Sequence, residues 1–394
     1  MTWFKTLNCL QESLTASEPP WMYCEIVIDK AKWVREMAQF KWYDIFVDLF
    51  GTILGFADPI ADILTLVEFY RADHKTWFVV GLCFIILPLV FFSVINFCQH
   101  DEDQNRCGWW TICIFGCSPF FPAFMKLRTL FVHLKKLPNL LRGNQIEPTD
   151  IKENPLTDLD NLLDKSSFAV LVEAAFESAP QFIIQLYAII VQQESVTIVQ
   201  MASLPVSFLS LASASTVADR IKLLHRDRRD LNLSVREKVL LFVTHLFILS
   251  SRLFAVALFT VSYKWWVTSV LILHCTVIMI CDIIWIWWIS GREDCNILGL
   301  CFTFCFNWLR DDWSLTFFSD EENGEKHLRR MMLLSNVLFV IENITMILLF
   351  YFGHFPHTWY SLPVTICVCL LCVLGAVMRL THFDSLKKKS DNDV

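Results

Sequence analysis

Acidic residues stand at helical spacing inside the most apolar stretches of the chain. Asp58 and Asp62 are four residues apart, and Glu173 and Glu177 repeat that spacing, so each pair shares one face of a helix. An ionisable side chain at the centre of a spanning helix costs at least roughly 2.5 kcal/mol on insertion scales, and such residues usually face a bundle interior and mark a pathway. The residues predicted to form a polar pathway or a buried charge network are Asp58, Asp62, Glu173, Glu177, Gln181, Arg252, Asp282 and Glu342.

These candidates carry more negative than positive charge. Six of them are acids in four apolar segments, whereas Arg252 is the one comparably deep cation that the sequence indicates. For any single residue the alternative is an ion pair that only fixes helix packing, but one or two such pairs would suffice for that. The surplus favours protonated acids, a hydrated groove, or contact with cationic or zwitterionic groups. We expect Arg252 to pair with an acid of the first or the third span.

Two prolines lie close to these acids. Pro59 separates Asp58 from Asp62, and Pro180 follows Glu177 by three positions. Proline removes a backbone donor, and its ring clashes with the carbonyl four residues earlier, so it kinks or breaks a helix. Pro59 and Pro180 are therefore the predicted helix breaks.

The segments that carry the candidates are long enough to cross a bilayer. The 394 residues are 55% hydrophobic and 19% charged, with a mean hydropathy of +0.47, and such a chain cannot cover a water-soluble surface with polar groups. A spanning helix needs about 20 predominantly apolar residues. The sequence predicts an all-α polytopic membrane protein with about eight spans, at 45–70, 77–97, 166–190, 197–219, 239–263, 265–290, 331–353 and 359–380.

Two shorter apolar stretches, 109–125 and 297–309, are predicted to be re-entrant helices. All connections rich in Lys and Arg, including the one with Lys126 and Arg128, then fall on one side, which marks the cytosol. Both termini are then cytosolic. The predicted organisation is an amino-terminal cytosolic segment of regulatory role at 1–41, a helical membrane domain at 42–382 and a short basic and polar cytosolic tail at 383–394.

The sequence lacks the signatures of soluble catalytic sites. It contains no GxGxxG, GxxxxGK[ST], HExxH or GxSxG motif. Its 15 cysteines are scattered through spans and cytosolic-side segments, which indicates free thiols, and Cys301 and Cys305 have no nearby histidine to complete a metal site. We expect no enzymatic activity, no cofactor, no bound metal and no nucleic-acid partner.

The third predicted span carries a motif that points to a family. Its sequence LVEAAFESAPQFIIQLY, at 171–187, resembles the E-x-x-x-E-x-x-P-Q-hydrophobic-Q-L-Y helix of the XK-related membrane proteins. The segment at 57–63 is similar to the family's first-span D-x-x-x-D, the segment at 252–259 to its buried arginine segment, and Glu342 to a late acidic position. The likeness runs from about residue 50 to 380 and implies eight spans, two re-entrant helices and cytosolic termini.

The resemblance implies an ATP-independent phospholipid scramblase of the plasma membrane that exposes phosphatidylserine during apoptosis. The residues that match the family's buried charges, which line a headgroup path or hold the resting bundle, are Asp58, Asp62, Glu173, Glu177, Arg252 and Glu342. The implied partners are phospholipids including phosphatidylserine, a caspase as activator, and a single-span chaperone or lipid-transfer protein. One departure is the segment ASASTVA at 212–218, where relatives often carry a tryptophan.

Two other functions stay open. A non-scrambling XK-like protein would act as a membrane receptor for a lipid-transfer protein or another partner through the loops at 126–165 and 310–330. A small-solute or ion transporter would couple uptake to protons through Asp58 or Glu177. Neutralising those acids separates the three functions, because it stops lipid movement in the first, leaves partner binding intact in the second and abolishes uptake in the third.

Overall fold

The computed structural model describes residues 42–98, 119–141, 169–192, 196–227, 235–290, 308–309, 324–353 and 359–392. Within these residues all regular secondary structure is helical. The nine helices described are α1 (Trp42–Arg71), α2 (Lys75–Cys98), α3 (Phe121–Leu141), α4 (Ala169–Val191), α5 (Ile198–Asp227), α6 (Val235–Tyr263), α7 (Trp266–Ser290), α8 (Gly324–Gly353) and α9 (Ser361–Asn392).

Six of these helices are long and apolar enough to cross a membrane. Their apolar stretches are Ile45–Arg71, Ala169–Val191, Ile198–Asp219, Val235–Tyr263, Leu333–Gly353 and Ser361–Thr381. Two shorter apolar stretches, Lys75–Phe91 in α2 and Trp266–Cys281 in α7, fall where the sequence predicts the second and sixth spans. The chain is a multi-pass helical membrane protein. The count of eight spans and the side of each terminus stay predictions.

Two helices organise the bundle. The long apolar helix α6 packs against α4, α5, α7, α8 and α9, while α1 packs against α2, α3 and α5. Contacts of side chains show the directions: Asp58 meets Ser178 and Asp62 meets Gln185, so α1 and α4 run parallel. The helix α5 runs antiparallel to both.

The helix α3 packs closely on the amino-terminal half of α1. Phe124 makes an edge-on contact with Phe56 at 5.4 Å between ring centroids, and a Cβ placed on Gly55 would lie 3.4 Å from Ala123. Further along α3, Lys126 reaches Gly51, so the two helices are antiparallel. Because a helix rises about 1.5 Å per residue, α3 begins beside a point roughly 21 Å from the start of α1.

This placement bears on the predicted re-entrant stretches. Only 119–125 of the first stretch and 308–309 of the second belong to the described residues, so both stay predictions. The structure does correct the assignment of Lys126 and Arg128 to a connecting loop, because both lie on α3. Gly55 lets α3 approach α1 closely, since a Cβ there would lie 3.4 Å from Ala123, and the sequence pattern alone did not indicate this contact.

The two predicted helix breaks have different outcomes. Pro59 lies inside α1, which continues on both sides, so the predicted break is wrong there. Neighbouring helices and local adjustments often satisfy the backbone groups that a proline frees in a membrane helix. At Pro180 the helix changes form instead: a π-helical turn spans Ala174–Ser178, and Pro180 lies in the first turn of the α-helical segment that follows.

The predicted terminal segments lie largely outside this description. Residues 1–41 are not among the described residues. The helix α9 continues to Asn392, so it includes most of the segment predicted as a tail at 383–394.

Candidate functional site: two buried polar clusters

A buried acidic cluster lies where α1, α4 and α5 meet. It contains Asp58 and Asp62 of α1, together with Glu173, Glu177, Ser178, Gln181 and Gln185 of α4 and Ser203, Ser207 and Ser210 of α5. Four of its members are carboxylic acids, and each of these four is at most 3% exposed. The structure thus brings the first-span and third-span candidates together in one site, and we call this set of residues the acidic cluster.

The two aspartates accept hydrogen bonds from neighbouring helices. The hydroxyl of Ser178 donates to Asp58 Oδ2 at 2.7 Å. The amide of Gln185 donates to Asp62 Oδ1 at 2.9 Å, and the hydroxyl of Ser207 reaches the same oxygen at 3.3 Å. Each carboxyl group is therefore held on one oxygen by neutral donors.

The hydrogen bonds continue from Asp62 along α5. Ser203 donates to Gln185 Oε1 at 2.7 Å, and Thr65 donates to Ser203 at 3.2 Å. Ser203, Ser207 and Ser210 recur at spacings of four and three, which places them on one face of α5. This serine face was missed in the sequence analysis, although its spacing was readable there.

The π-helical turn places two of the polar groups of α4. Glu177 and Ser178 belong to the turn Ala174–Ser178, and Glu173 precedes it directly. In that turn the backbone N–H of Ala179 bonds to the carbonyl of Ala174, five residues earlier. Such π-bulges occur frequently at functional sites. Here the wider turn directs Ser178 to Asp58 and keeps Glu177 buried.

The side chain of Gln181 is directed from α4 to α2 and forms a hydrogen bond with it. Its amide donates to the carbonyl of Gly81 at 2.7 Å. A Cβ on Gly81 would collide with Leu66 Cδ2, so the glycine lets α2 pack against Leu66 of α1 without displacing that side chain. Gln181 therefore connects the acidic cluster to the second helix of the bundle.

Lys126 is the cation of the acidic cluster. Its side chain is 9% exposed, and its ammonium group donates to the carbonyl of Gly51 at 3.2 Å. The carboxylates that it faces electrostatically are Glu173, Asp58 and Asp48. The sequence indicated Arg252 as the one deep cation, and the buried Lys126 corrects that prediction.

Several oxygens of the acidic cluster have no protein donor. Among the described residues, the buried side-chain atoms without a hydrogen-bond partner include Asp58 Oδ1, Asp62 Oδ2, Glu173 Oε1, Glu177 Oε1 and Gln181 Oε1. A buried acceptor without a partner costs about 1–3 kcal/mol, and more when it is charged. The cluster therefore has spare capacity for donors that the described protein does not provide.

A second buried site surrounds Arg252 on α6. Its guanidinium lies 3.0 Å from Glu342 Oε1 of α8, and it donates to Asn343 Oδ1 at 3.0 Å and to the carbonyl of Trp308 at 2.9 Å. His274 of α7 contacts the other carboxylate oxygen of Glu342 at 2.5 Å. We call Arg252, Glu342, His274 and Asn343 the arginine network.

The predicted partner of Arg252 was wrong. An acid of the first or third span was the predicted partner, whereas the structure pairs Arg252 with Glu342 on α8. The physical reason is the position of α6 between two groups of helices. Its face toward α4 carries apolar side chains such as Leu249 and Leu253, whereas Arg252 is directed to α8.

The remaining candidate, Asp282, lies on α7, but its side chain is outside the described part of the structure. Among the described residues no three His, Cys, Asp or Glu side chains are placed to hold a metal ion. His274 is buried, as expected for a packed core histidine, and it also bonds to Glu342. The candidates whose side chains are described thus separate into two sites, the acidic cluster and the arginine network.

Fold and sites together define a multi-pass helical membrane protein with two polar centres inside its bundle. The chain matches the XK-related protein family over residues 46–388, which covers all nine described helices almost entirely. The chain therefore belongs to the XK-related family.

Among its relatives is XK-related protein 9 of Tetraodon nigroviridis. The two sequences are 23% identical over 57% of this chain and 60% of that relative. The match thus spans about three fifths of the relative's length, and at this identity the likeness supports the family alone.

Proposed function

We propose that this protein is an ATP-independent phospholipid scramblase of the plasma membrane that exposes phosphatidylserine, with headgroups passing along the acidic cluster. The observation that carries the proposal is the surplus of buried carboxylate oxygens between α1, α4 and α5 that have no hydrogen-bond donor among the described residues. Four buried carboxyl groups face one ammonium, that of Lys126, among the described residues, so the cluster is not a matched set of ion pairs.

The chemistry of a headgroup matches this surplus. A phospholipid headgroup that enters the membrane loses its water and needs replacement partners. The amines of phosphatidylserine and phosphatidylethanolamine are donors, and Asp58, Asp62 and Glu177 each offer a free acceptor oxygen in the described structure. The serines and Gln185 add neutral partners along the same helices, while the acyl tails stay in the bilayer.

The path needs no energy source in this account. A scramblase moves lipids down their gradients, so nucleotide binding is not required, and the chain has no phosphate-loop motif. Activation by a caspase that removes a terminal segment, and assembly with a single-span chaperone or a lipid-transfer protein, are further parts of the proposal that rest on family resemblance. Residues 1–41 are the segment whose removal we expect to activate the protein.

The proposal is tested with purified protein in liposomes that contain a fluorescent phospholipid. An impermeant reductant quenches only the outer leaflet, so fluorescence lost beyond one half reports lipid movement. We expect such loss for the full-length chain or for a form without residues 1–41. Protection of the inner leaflet in both forms, with both forms folded, would contradict the proposal and favour a receptor for a partner protein.

A measurement of small-solute or ion uptake into the same liposomes tests the transporter alternative. Proton-coupled uptake of a small solute without lipid movement would assign the acidic cluster to transport instead. Glu177→Gln is the variant to compare with the wild type in this measurement, because it removes one acid of the cluster and keeps the side-chain shape.

A further inference from the structure

We infer that Lys126 sets the headgroup-charge preference of the acidic cluster, by giving anionic phospholipids a cationic contact at the end of the cluster nearest Gly51. This inference rests on the proposed function and deepens it. It concerns a residue that the charge pattern of the spans does not reveal, because Lys126 belongs to α3 and not to a predicted span.

The first step is the position of Lys126 along the cluster. Its ammonium bonds to the carbonyl of Gly51, which lies between Asp48 and Asp58 on α1. Ser203 and Gln185 lie at the opposite end, beside Asp62 and Thr65. The acidic cluster therefore has one end with an ammonium group and another end made of hydroxyl and amide groups.

Lys126 also retains hydrogen-bond donors that its described neighbours do not accept. Among the described residues Lys126 has one hydrogen bond, to Gly51, although an ammonium has three donors. It interacts electrostatically with Glu173 and Asp58, and both of these acids retain a buried oxygen without a hydrogen-bond partner. Donors on Lys126 and acceptors on these acids thus face the same interior without forming a direct bond.

The third step concerns the ligand. A phospholipid headgroup always carries a phosphate, and carboxylates alone would repel it. The combination of a buried ammonium with unpartnered carboxylate oxygens suits a headgroup that has a phosphate and an amine. Lys126 also offsets part of the negative charge that would exclude lipids with a net negative charge, such as phosphatidylserine.

The packing of α3 fixes the lysine in this place. The contact of Ala123 with Gly55 and the contacts of Phe120 and Phe124 with Phe56 hold α3 against α1. Arg128 is exposed on the same helix two residues further on. It provides a matched control, because it has the same charge and the same helix but does not face the cluster.

The test compares two lipids in the liposome assay described above, one with fluorescent phosphatidylglycerol, which is net negative, and one with fluorescent phosphatidylcholine, which is net neutral. The measured quantity is the scrambling rate of phosphatidylglycerol divided by that of phosphatidylcholine. We expect Lys126→Gln to lower this ratio by about tenfold, because a nearby unit charge acts mainly on the net-charged headgroup. Lys126→Arg should keep the ratio within about twofold of wild type, and so should Arg128→Gln.

The opposite change comes from the acid that Lys126 faces. Glu173→Gln removes one negative charge and should raise the same ratio, and it decides the question if Lys126→Gln fails to fold. If the lysine has a purely structural role, Lys126→Gln slows both lipids equally and leaves the ratio unchanged. That result would overturn the inference, whereas lipid movement by the wild type would still support the proposed function. If the wild type moves neither lipid, the proposed function fails and this inference fails with it.

Discussion

The two buried sites of this protein use charge in different ways. In the arginine network, the guanidinium of Arg252 contacts Glu342, Asn343 and the carbonyl of Trp308, and its Nη2 is the one guanidinium nitrogen without a hydrogen-bond partner among the described residues. In the acidic cluster, four carboxyl groups face one ammonium, and several of their oxygens have no hydrogen-bond partner among the described residues. Arg252 and the four acids of the acidic cluster are each at most 3% exposed, so solvent access to these groups does not explain the difference.

This difference indicates separate roles. A buried charge with matched partners fixes helices in place, and losing one partner is costly because the other is left uncompensated. The arginine network joins α6, α7 and α8 in this way. Buried groups with unused bonding capacity cost stability, and we propose that they are retained here because a headgroup uses them in transit.

The largest expected effect breaks the arginine network. Arg252→Ala leaves Glu342 and Asn343 without their cation, and breaking a buried pair in this way costs about 3–5 kcal/mol. We expect a clearly lower melting temperature in detergent. The control is Arg236→Ala, since Arg236 is exposed on the same helix. Equal melting temperatures for the two variants would show that the network does not hold the bundle together.

A steric change at Gly81 is expected to have an intermediate effect. The Cβ of Gly81→Ala would collide with Leu66 Cδ2 and lie 3.2 Å from Gln181 Oε1. Overpacking typically costs about 1–3 kcal/mol, and here it would displace the side chains of Leu66 and Gln181 between α1, α2 and α4. Both the melting temperature and the scrambling rate should fall.

The matched control for that change is Gly51→Ala on α1. Its Cβ would meet nothing closer than Ser213 Oγ at 3.8 Å, which is ordinary contact. If Gly51→Ala lowers the stability as much as Gly81→Ala does, the effect at Gly81 is not due to the close packing of α2.

The smallest expected effect concerns the serine face of α5. Ser207→Ala removes a 3.3 Å hydrogen bond to Asp62 and leaves the bond from Gln185 in place. A single hydrogen bond contributes about 1 kcal/mol net, so the scrambling rate should fall a fewfold while the melting temperature changes little. Ser250→Ala is the control, because that hydroxyl bonds only to the backbone carbonyl of Leu246 in the described structure. If both serine variants scramble at the same rate, the serine face is not part of the path.

The sequence predicted the helices better than the contacts between them. Long apolar stretches can be recognised one by one, because each spanning helix satisfies its own backbone, and the helices at the predicted spans reflect this. The pairing of Asp58 and Asp62 with α4 could be expected only from their shared membrane environment. The partner of Arg252 could not be read, because spacing within α6 does not say which neighbouring helix faces each side.

Lys126 shows a second limit of sequence reasoning. A lysine next to Arg128, Lys135 and Lys136 reads as part of a solvated basic connection. Its burial depends on the glycine surface of α1 more than 70 residues earlier, since Lys126 and Gly51 are 75 positions apart. A contact between residues so far apart in sequence depends on tertiary packing, and the local sequence pattern does not predict it.

The central claim is that the acidic cluster carries lipid and the arginine network holds the bundle. The most direct test measures melting temperature and scrambling rate, per folded protein, for Glu177→Gln and Glu342→Gln. These changes are matched, since each replaces one acid by its amide. The account predicts that Glu177→Gln keeps the wild-type melting temperature and loses about tenfold or more in scrambling rate, the value of one charge-assisted contact.

For Glu342→Gln the account predicts the reverse, a lower melting temperature with a scrambling rate near that of wild type for the protein that remains folded. If Glu177→Gln scrambles normally while folded Glu342→Gln does not, the roles assigned to the two sites are contradicted.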